Sequence, residues 1–232
     1  MALPSLSLPN PLSPSPNLWR QGEHVAVIGD TGSGKSFLMT RLAPMRDWCV
    51  FIRTKADDNR LPGFGRARKT AQIRLYANNH WLLDLSRMDP NRQAYEAARC
   101  LDMVWRERGW TVVVDELWYI ERKLGLQDFV DRLTTQGRSE RITVLTGVQR
   151  PAWVSKFAFA ESTHIFVFRV FGSRTTGADV KTIRDNFGEE MADTVLGLAQ
   201  YQFAYLNRLT RDLRIGRAQD LDRILRRPTV AA

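Results

Sequence analysis

An α/β fold, with a mostly parallel sheet flanked by helices on both faces, is what this 232-residue sequence predicts. Short runs of apolar and β-branched residues recur along the chain, and they are continuous rather than alternating, as in strands buried on both faces. Stretches with one apolar helical face separate them. Several of the runs end in a Gly-rich turn or in charged residues, and ligands of such sheets sit at the carboxyl ends of the strands.

The first strand is His24-Val25-Ala26-Val27-Ile28, followed by a Gly-rich turn and a helix from about Lys35 to Leu42. Trp48-Cys49-Val50-Phe51-Ile52 is the second, and the polar, Gly-containing stretch from Arg53 to Lys69 is loop. A short strand is expected around Ile73 and Leu75. From Asn91 to Arg108, apolar residues at Ala94, Tyr95, Ala98, Leu101, Val104 and Trp105 mark one helix face. Trp110 to Val114 and Ile142 to Val148 are strands on either side of a helix from about Leu126 to Thr135; His164 to Val170 and Gln202 to Leu206 complete the strand set. The expected organisation is a Pro/Ser-rich arm over residues 1–20, one domain over 21–207 and a basic arm over 208–232. In the first arm Pro4, Pro9, Pro11, Pro14 and Pro16 forbid helix and central strand, and its interspersed leucines suit docking along a neighbouring subunit.

With 44% apolar residues the chain can bury one sizeable core. It has no run of eighteen apolar residues and no basic-then-apolar leader, so a protein of the cytoplasm, without a membrane span, is expected. Cys49 and Cys100 lack Cys or His partners at ligand spacing and read as small buried hydrophobes. The formal net charge of +9 favours an anionic polymer or surface as partner.

Gly29-Asp30-Thr31-Gly32-Ser33-Gly34-Lys35-Ser36 matches G-x-x-x-x-G-K-[ST], between a strand and a helix as that pattern requires. Successive backbone N–H groups and the helix N-terminus then point at phosphates. Lys35 is placed to reach the β and γ phosphates and Ser36 to ligate Mg²⁺. No N-K-x-D guanine-reading motif occurs, which favours ATP. The strand ending Val114-Asp115-Glu116 carries two acids to the same edge: Asp115 for the metal, through water, and Glu116 to orient and deprotonate an attacking water. That second acid speaks for hydrolysis rather than transfer to an acceptor, which counts against a small-molecule kinase.

Gly137-Arg138-Ser139-Glu140-Arg141-Ile142, the strand after it, and Gln149-Arg150-Pro151 resemble the G-R-x-x-x-I, apolar strand, x-Q-R-P segment of the FtsK/HerA superfamily of DNA-pumping P-loop ATPases, which includes viral genome-packaging ATPases. With the phosphate loop and the acid pair, the resemblance covers about residues 22–170 in the family's order, and Lys55 resembles a lysine that often follows the family's second strand. It implies a P-loop NTPase fold of the additional-strand, RecA-like type. Gln149 would sense the γ-phosphate, and Arg138 would be an arginine finger completing a neighbour's site in a homo-oligomeric ring, with Arg141 and Arg150 as competing candidates. The implied partner is double-stranded DNA, bound without sequence preference, together with a capsid vertex or portal protein. The implied function is packaging of a viral genome. A plasmid or mobile-element DNA-transfer ATPase, and an assembly or secretion ATPase of filamentous-phage type, are the alternatives.

Between Arg208 and Arg227 stand seven arginines against Asp212, Asp220 and Asp222, a stripe suited to phosphate contact or to a subunit interface. Trp118 and Trp153 fall near the nucleotide face and read as packing residues.

Overall fold

The structure is a computed structural model that describes residues 19–56, 61–74, 77–170 and 177–221. In chain order the elements are β1 (His24–Ile28), α1 (Lys35–Leu42), β2 (Cys49–Arg53), β3 (Gly65–Ala67), β4 (His80–Asp84), α2 (Pro90–Glu107), β5 (Thr111–Val114), α3 (Gln127–Gln136), β6 (Thr143–Val148), α4 (Phe157–Ala160), β7 (Ser162–Phe168), α5 (Ala178–Phe187), α6 (Glu189–Leu196), β8 (Gln202–Asn207) and β9 (Asp212–Arg217). The strands form one sheet in the order β3-β4-β2-β5-β6-β1-β7-β8-β9. Pairing is parallel from β3 through β7, and β8 and β9 are added antiparallel. β6 lies between β5 and β1, the additional strand of the predicted class.

Strand pleating sends neighbouring residues to opposite faces. In β1, Val25 and Val27 join a core with Leu38, Met39 and Leu42 of α1, while Ala26 and Ile28 join the larger core under α2, α3, α5 and α6. All five β1 residues are buried, so the continuous apolar run follows from double coverage. Asp89 caps α2, its side chain accepting from Arg92 N at 3.1 Å, and Pro90 opens the helix where its missing N–H costs nothing.

The amino-terminal edge of the sheet is tied by buried polar groups. His164 bonds Glu23 at 2.9 Å and the Tyr205 hydroxyl at 2.8 Å, and Glu23 also accepts from Arg20 N at 2.6 Å. Burial pushes the neighbouring His24 down to about 4. Its Nδ1 accepts from Val144 N at 3.0 Å, so the neutral ring fastens β1 to β6.

The sheet is wider than the sequence predicts. At Ile73 no strand forms, because Thr70 is captured by α2: its N–H and hydroxyl donate to Glu96 at 2.7 and 2.8 Å, winding residues Thr70–Gln72 into a 3-10 turn. Leu75 lies outside the described residues, as do residues 1–18 of the expected arm. The strand that fills this part of the sheet is β4. Placed at residue 208, the start of the expected basic arm cuts through a hairpin, since β9 pairs with β8 as far as Arg217; Arg223, Arg226 and Arg227 lie outside the described residues.

Candidate active site

β1 delivers the chain to Gly29, whose N–H donates to Val148 O of β6 at 3.0 Å. The loop then turns through Asp30 and Thr31 and enters α1 at Gly34, which has φ +103°, a left-handed value that glycine takes without strain. The first N–H groups of α1 have no partner within the helix, and its first turn carries no acid, so this end favours an anion. Lys35 is 5% exposed and folds back to donate to Asp30 O at 2.9 Å. Burial pushes its ammonium down to about 8, against the opposing pull of Asp115, Asp30 and Glu116. A polyanion in the loop removes that penalty.

Two strands away, β5 brings Asp115 to the same edge. The Ser36 hydroxyl lies 3.0 Å from each Asp115 carboxylate oxygen. Glu116 forms an ion pair with Lys55, just past β2. Gln149 follows β6, between them and the loop, and its Oε1 accepts from the Thr31 hydroxyl at 3.2 Å. Thus the structure gathers Gly29, Asp30, Thr31, Gly32, Ser33, Gly34, Lys35, Ser36, Asp115, Glu116, Gln149 and Lys55 at the carboxyl edge of adjacent strands. Hydroxyls, carboxylates, two ammonium groups and a row of N–H donors can hold a polyphosphate at one end and a water at the other.

Arg138 is not among them. It belongs to the turn before β6, at the amino-terminal edge, where its carbonyl packs on Gly22. The six residues of β6 separate it from Gln149 by about 20 Å. It is exposed and shares a cavity of about 400 Å³ with Arg20, Glu23 and Thr210. Its guanidinium therefore serves no phosphate on its own loop. Arg141 occupies the same turn at φ +56°. Arg150 stands nearer the site but is paired with Asp179 of α5 at 3.0 Å. Trp118 and Trp153 pack on each other, ring centroids 6.1 Å apart.

Several contributors are invisible in the sequence. Gly147 of β6 lies against the backbone of Asp115: a Cβ there would meet Asp115 O at 2.2 Å. Gln93 of α2 donates to Thr54 O and Leu85 O and accepts from the Tyr119 hydroxyl at 2.9 Å, so one side chain links the segment carrying Lys55 to the helical turn after Glu116. Glu121, buried in the π-helical turn Tyr119–Lys123, accepts from Ser155 N at 3.0 Å and joins that turn to the loop after Gln149. Burial raises its carboxyl to about 7. None of the three carries a sequence signal, because the role of each comes from a contact distant in sequence.

No protein-family model matches the sequence, nor does any curated protein. Solved structures do. The genome-packaging NTPase B204 from Sulfolobus turreted icosahedral virus 2, in complex with ATP-gammaS, superposes with a TM-score of 0.65 at 15% identity, covering 86% of this chain and 98% of that one. B204 described as the DNA-packaging ATPase from Sulfolobus turreted icosahedral virus matches with a TM-score of 0.62 at 16% identity over the same shares. ATPases 2 and 3 of EssC from Geobacillus thermodenitrificans match less well, with a TM-score of 0.52 at 11% identity, over 82% of this chain and 38% of that one. The chain has the P-loop NTPase fold of these ATPases, and over nearly its whole described length it is the fold of the viral packaging enzyme.

Proposed function

We propose that the protein is an ATPase that drives double-stranded DNA, and that its task is to package a viral genome. The observation that carries this is the joint placement of Lys35, Ser36, Asp115, Glu116 and Gln149 on one sheet edge, in a fold that matches B204 over 86% of this chain. The phosphate loop holds the β and γ phosphates, with Lys35 leaving Asp30 O to reach them. Among the described residues no cluster of three or more His, Cys, Asp or Glu gathers. Ser36 and Asp115 are a hard-oxygen pair that would suit Mg²⁺. Bound there, Mg²⁺ supplies charge neutralisation across the phosphates.

Glu116 is the general base. Its ion pair with Lys55 holds the carboxylate at the site's edge, and release of that pair frees it for water. Gln149 reads the γ-phosphate through the contact it now makes with Thr31. Arg138, at the opposite edge, acts in a neighbour's site, so hydrolysis depends on a homo-oligomeric ring. The surplus of arginine supports DNA contact through the backbone, without base reading. A capsid vertex or portal protein is the partner this function requires. No helix among the described residues is long and apolar enough to cross a membrane.

The test is ATP turnover with and without double-stranded DNA at low and moderate salt. Strong, salt-sensitive stimulation is expected; DNA-independent hydrolysis by assembled protein overturns the DNA-motor reading in favour of an assembly ATPase.

A further inference from the structure

Tyr201 stands out among the exposed aromatic residues. It sits in the turn between α6 and β8, is 55% exposed, and has φ +62°, a left-handed value that bulky side chains rarely adopt. The turn is closed by two bonds from and to Gln202: Gln202 N donates to Ala199 O at 3.1 Å, and Ala199 N donates to the Gln202 side chain at 2.9 Å. Strain of this kind is kept where the surroundings impose it, and it concentrates at ligand sites.

The ring lies against the phosphate loop. A Cβ built on Gly34 would be 3.4 Å from Tyr201 Cδ1 and 3.3 Å from Phe168 Cε1, so both rings border the entrance to α1. Phe168 is buried and supported edge-to-face by Phe203, with centroids 5.5 Å apart, which gives Tyr201 a rigid neighbour.

Direction follows from strand order. Asp115 and Gln149 lie at the ends of β5 and β6, on one side of β1, and Ser36 and Thr31 reach toward them. The terminal phosphates and metal therefore lie on that side. The rest of the nucleotide leaves the loop on the other side, across the end of β7 and the start of β8, where Tyr201 stands beside Gly34.

We propose that Tyr201 is the platform on which the nucleobase stacks, making it a specificity-determining residue for a nucleoside triphosphate over a bare polyphosphate. The proposal rests on the nucleotide site described above. The turn places the ring beside the loop before any ligand arrives, so little order is lost when the base docks.

The experiment compares ATP and inorganic tripolyphosphate, each with Mg²⁺, by titration calorimetry on the full chain. Tyr201→Gly deletes the ring and also relieves the left-handed backbone, so folding is not put at risk. It is expected to weaken ATP roughly tenfold or more, the usual loss for a stacked base, and to leave tripolyphosphate unchanged. Tyr201→Phe keeps both affinities. Equal weakening of both ligands overturns the proposal, because the ring would then be shaping Gly34; unchanged ATP binding overturns it as well. If the wild-type chain binds neither ligand, the phosphate-loop reading itself falls, a failure that the tripolyphosphate arm tells apart.

Discussion

Gly147→Ala is a one-carbon change on β6 that tests how the two acids are held. The added Cβ would stand 2.2 Å from Asp115 O, 2.8 Å from Asp115 C and 2.9 Å from Met39 Sδ. Non-bonded carbon contacts settle near 3.5 Å, so the end of β5 must move by about 1 Å. β6 cannot yield instead, since Val148 O accepts from Gly29 and Thr146 pairs with Val114 and with Ala26 of β1. The displaced atoms carry Asp115, 3.0 Å from the Ser36 hydroxyl, and Glu116, paired with Lys55. A shift of that size in a positioned group costs about a hundredfold in turnover. Overpacking lowers stability by about 1–3 kcal/mol. None of the three crowded atoms belongs to residues 29–36, so ATP and tripolyphosphate should lose much less affinity than turnover loses rate. Steady-state hydrolysis, ligand titration and urea unfolding read the three quantities separately. Wild-type turnover in a stably folded Gly147→Ala protein would refute the reasoning, for it would mean that the acids do not depend on the backbone of Asp115.

Glu116→Gln should bind ATP without hydrolysing it, and loss of binding in a filter assay would make that residue structural. Mixing Arg138→Ala subunits with Glu116→Gln subunits should restore part of the activity, because one supplies the base and the other the arginine; no rescue at any ratio counts against a finger at the amino-terminal edge. Lys35 is lowered to about 8 from 10.5, so near pH 9 it is largely neutral in the free protein. ATP binding there should take up a proton and weaken as pH rises, which calorimetry in buffers of different ionisation heat detects; zero proton uptake refutes the buried-ammonium picture. Glu121 has its carboxyl raised to about 7 from 4.5, so the folded state holds more protons in that window and loses stability as pH rises through it. Glu121→Gln should therefore gain stability over wild type on going from about pH 5 to pH 8 in urea unfolding; a constant difference sinks the assignment.

What the sequence could and could not reveal follows from the range of the interactions involved. The phosphate loop is legible because its eight residues act through their own backbone, and the β5 acids because a buried run must end where the sheet does. β4 is not: between His80 and Asp84 only Trp81, Leu82 and Leu83 are buried, a run too short to separate from a loop. β3 reads G-R-A and is defined by its backbone pairing with β4. In β9, Leu213 and Ile215 are partly or well exposed, so its arginines dominate the pattern and disguise an edge strand as a basic arm. α5 and α6 are hard to read because each buries only a few residues, Val180 and Ile183 in one and Met191, Ala192 and Val195 in the other.

The same logic separates the two halves of the candidate site. Lys35, Asp115, Glu116 and Gln149 each end or begin an element, and parallel strands with crossover helices bring all such ends to one edge, so order along the chain is enough to group them. Arg138 also adjoins a strand, but before β6 rather than after it, and that single difference in position puts it on the other edge. An arginine there contributes to phosphate chemistry only through a second subunit. The catalytic role inferred from the motif and the requirement for assembly are therefore one claim, and the mixing experiment tests both.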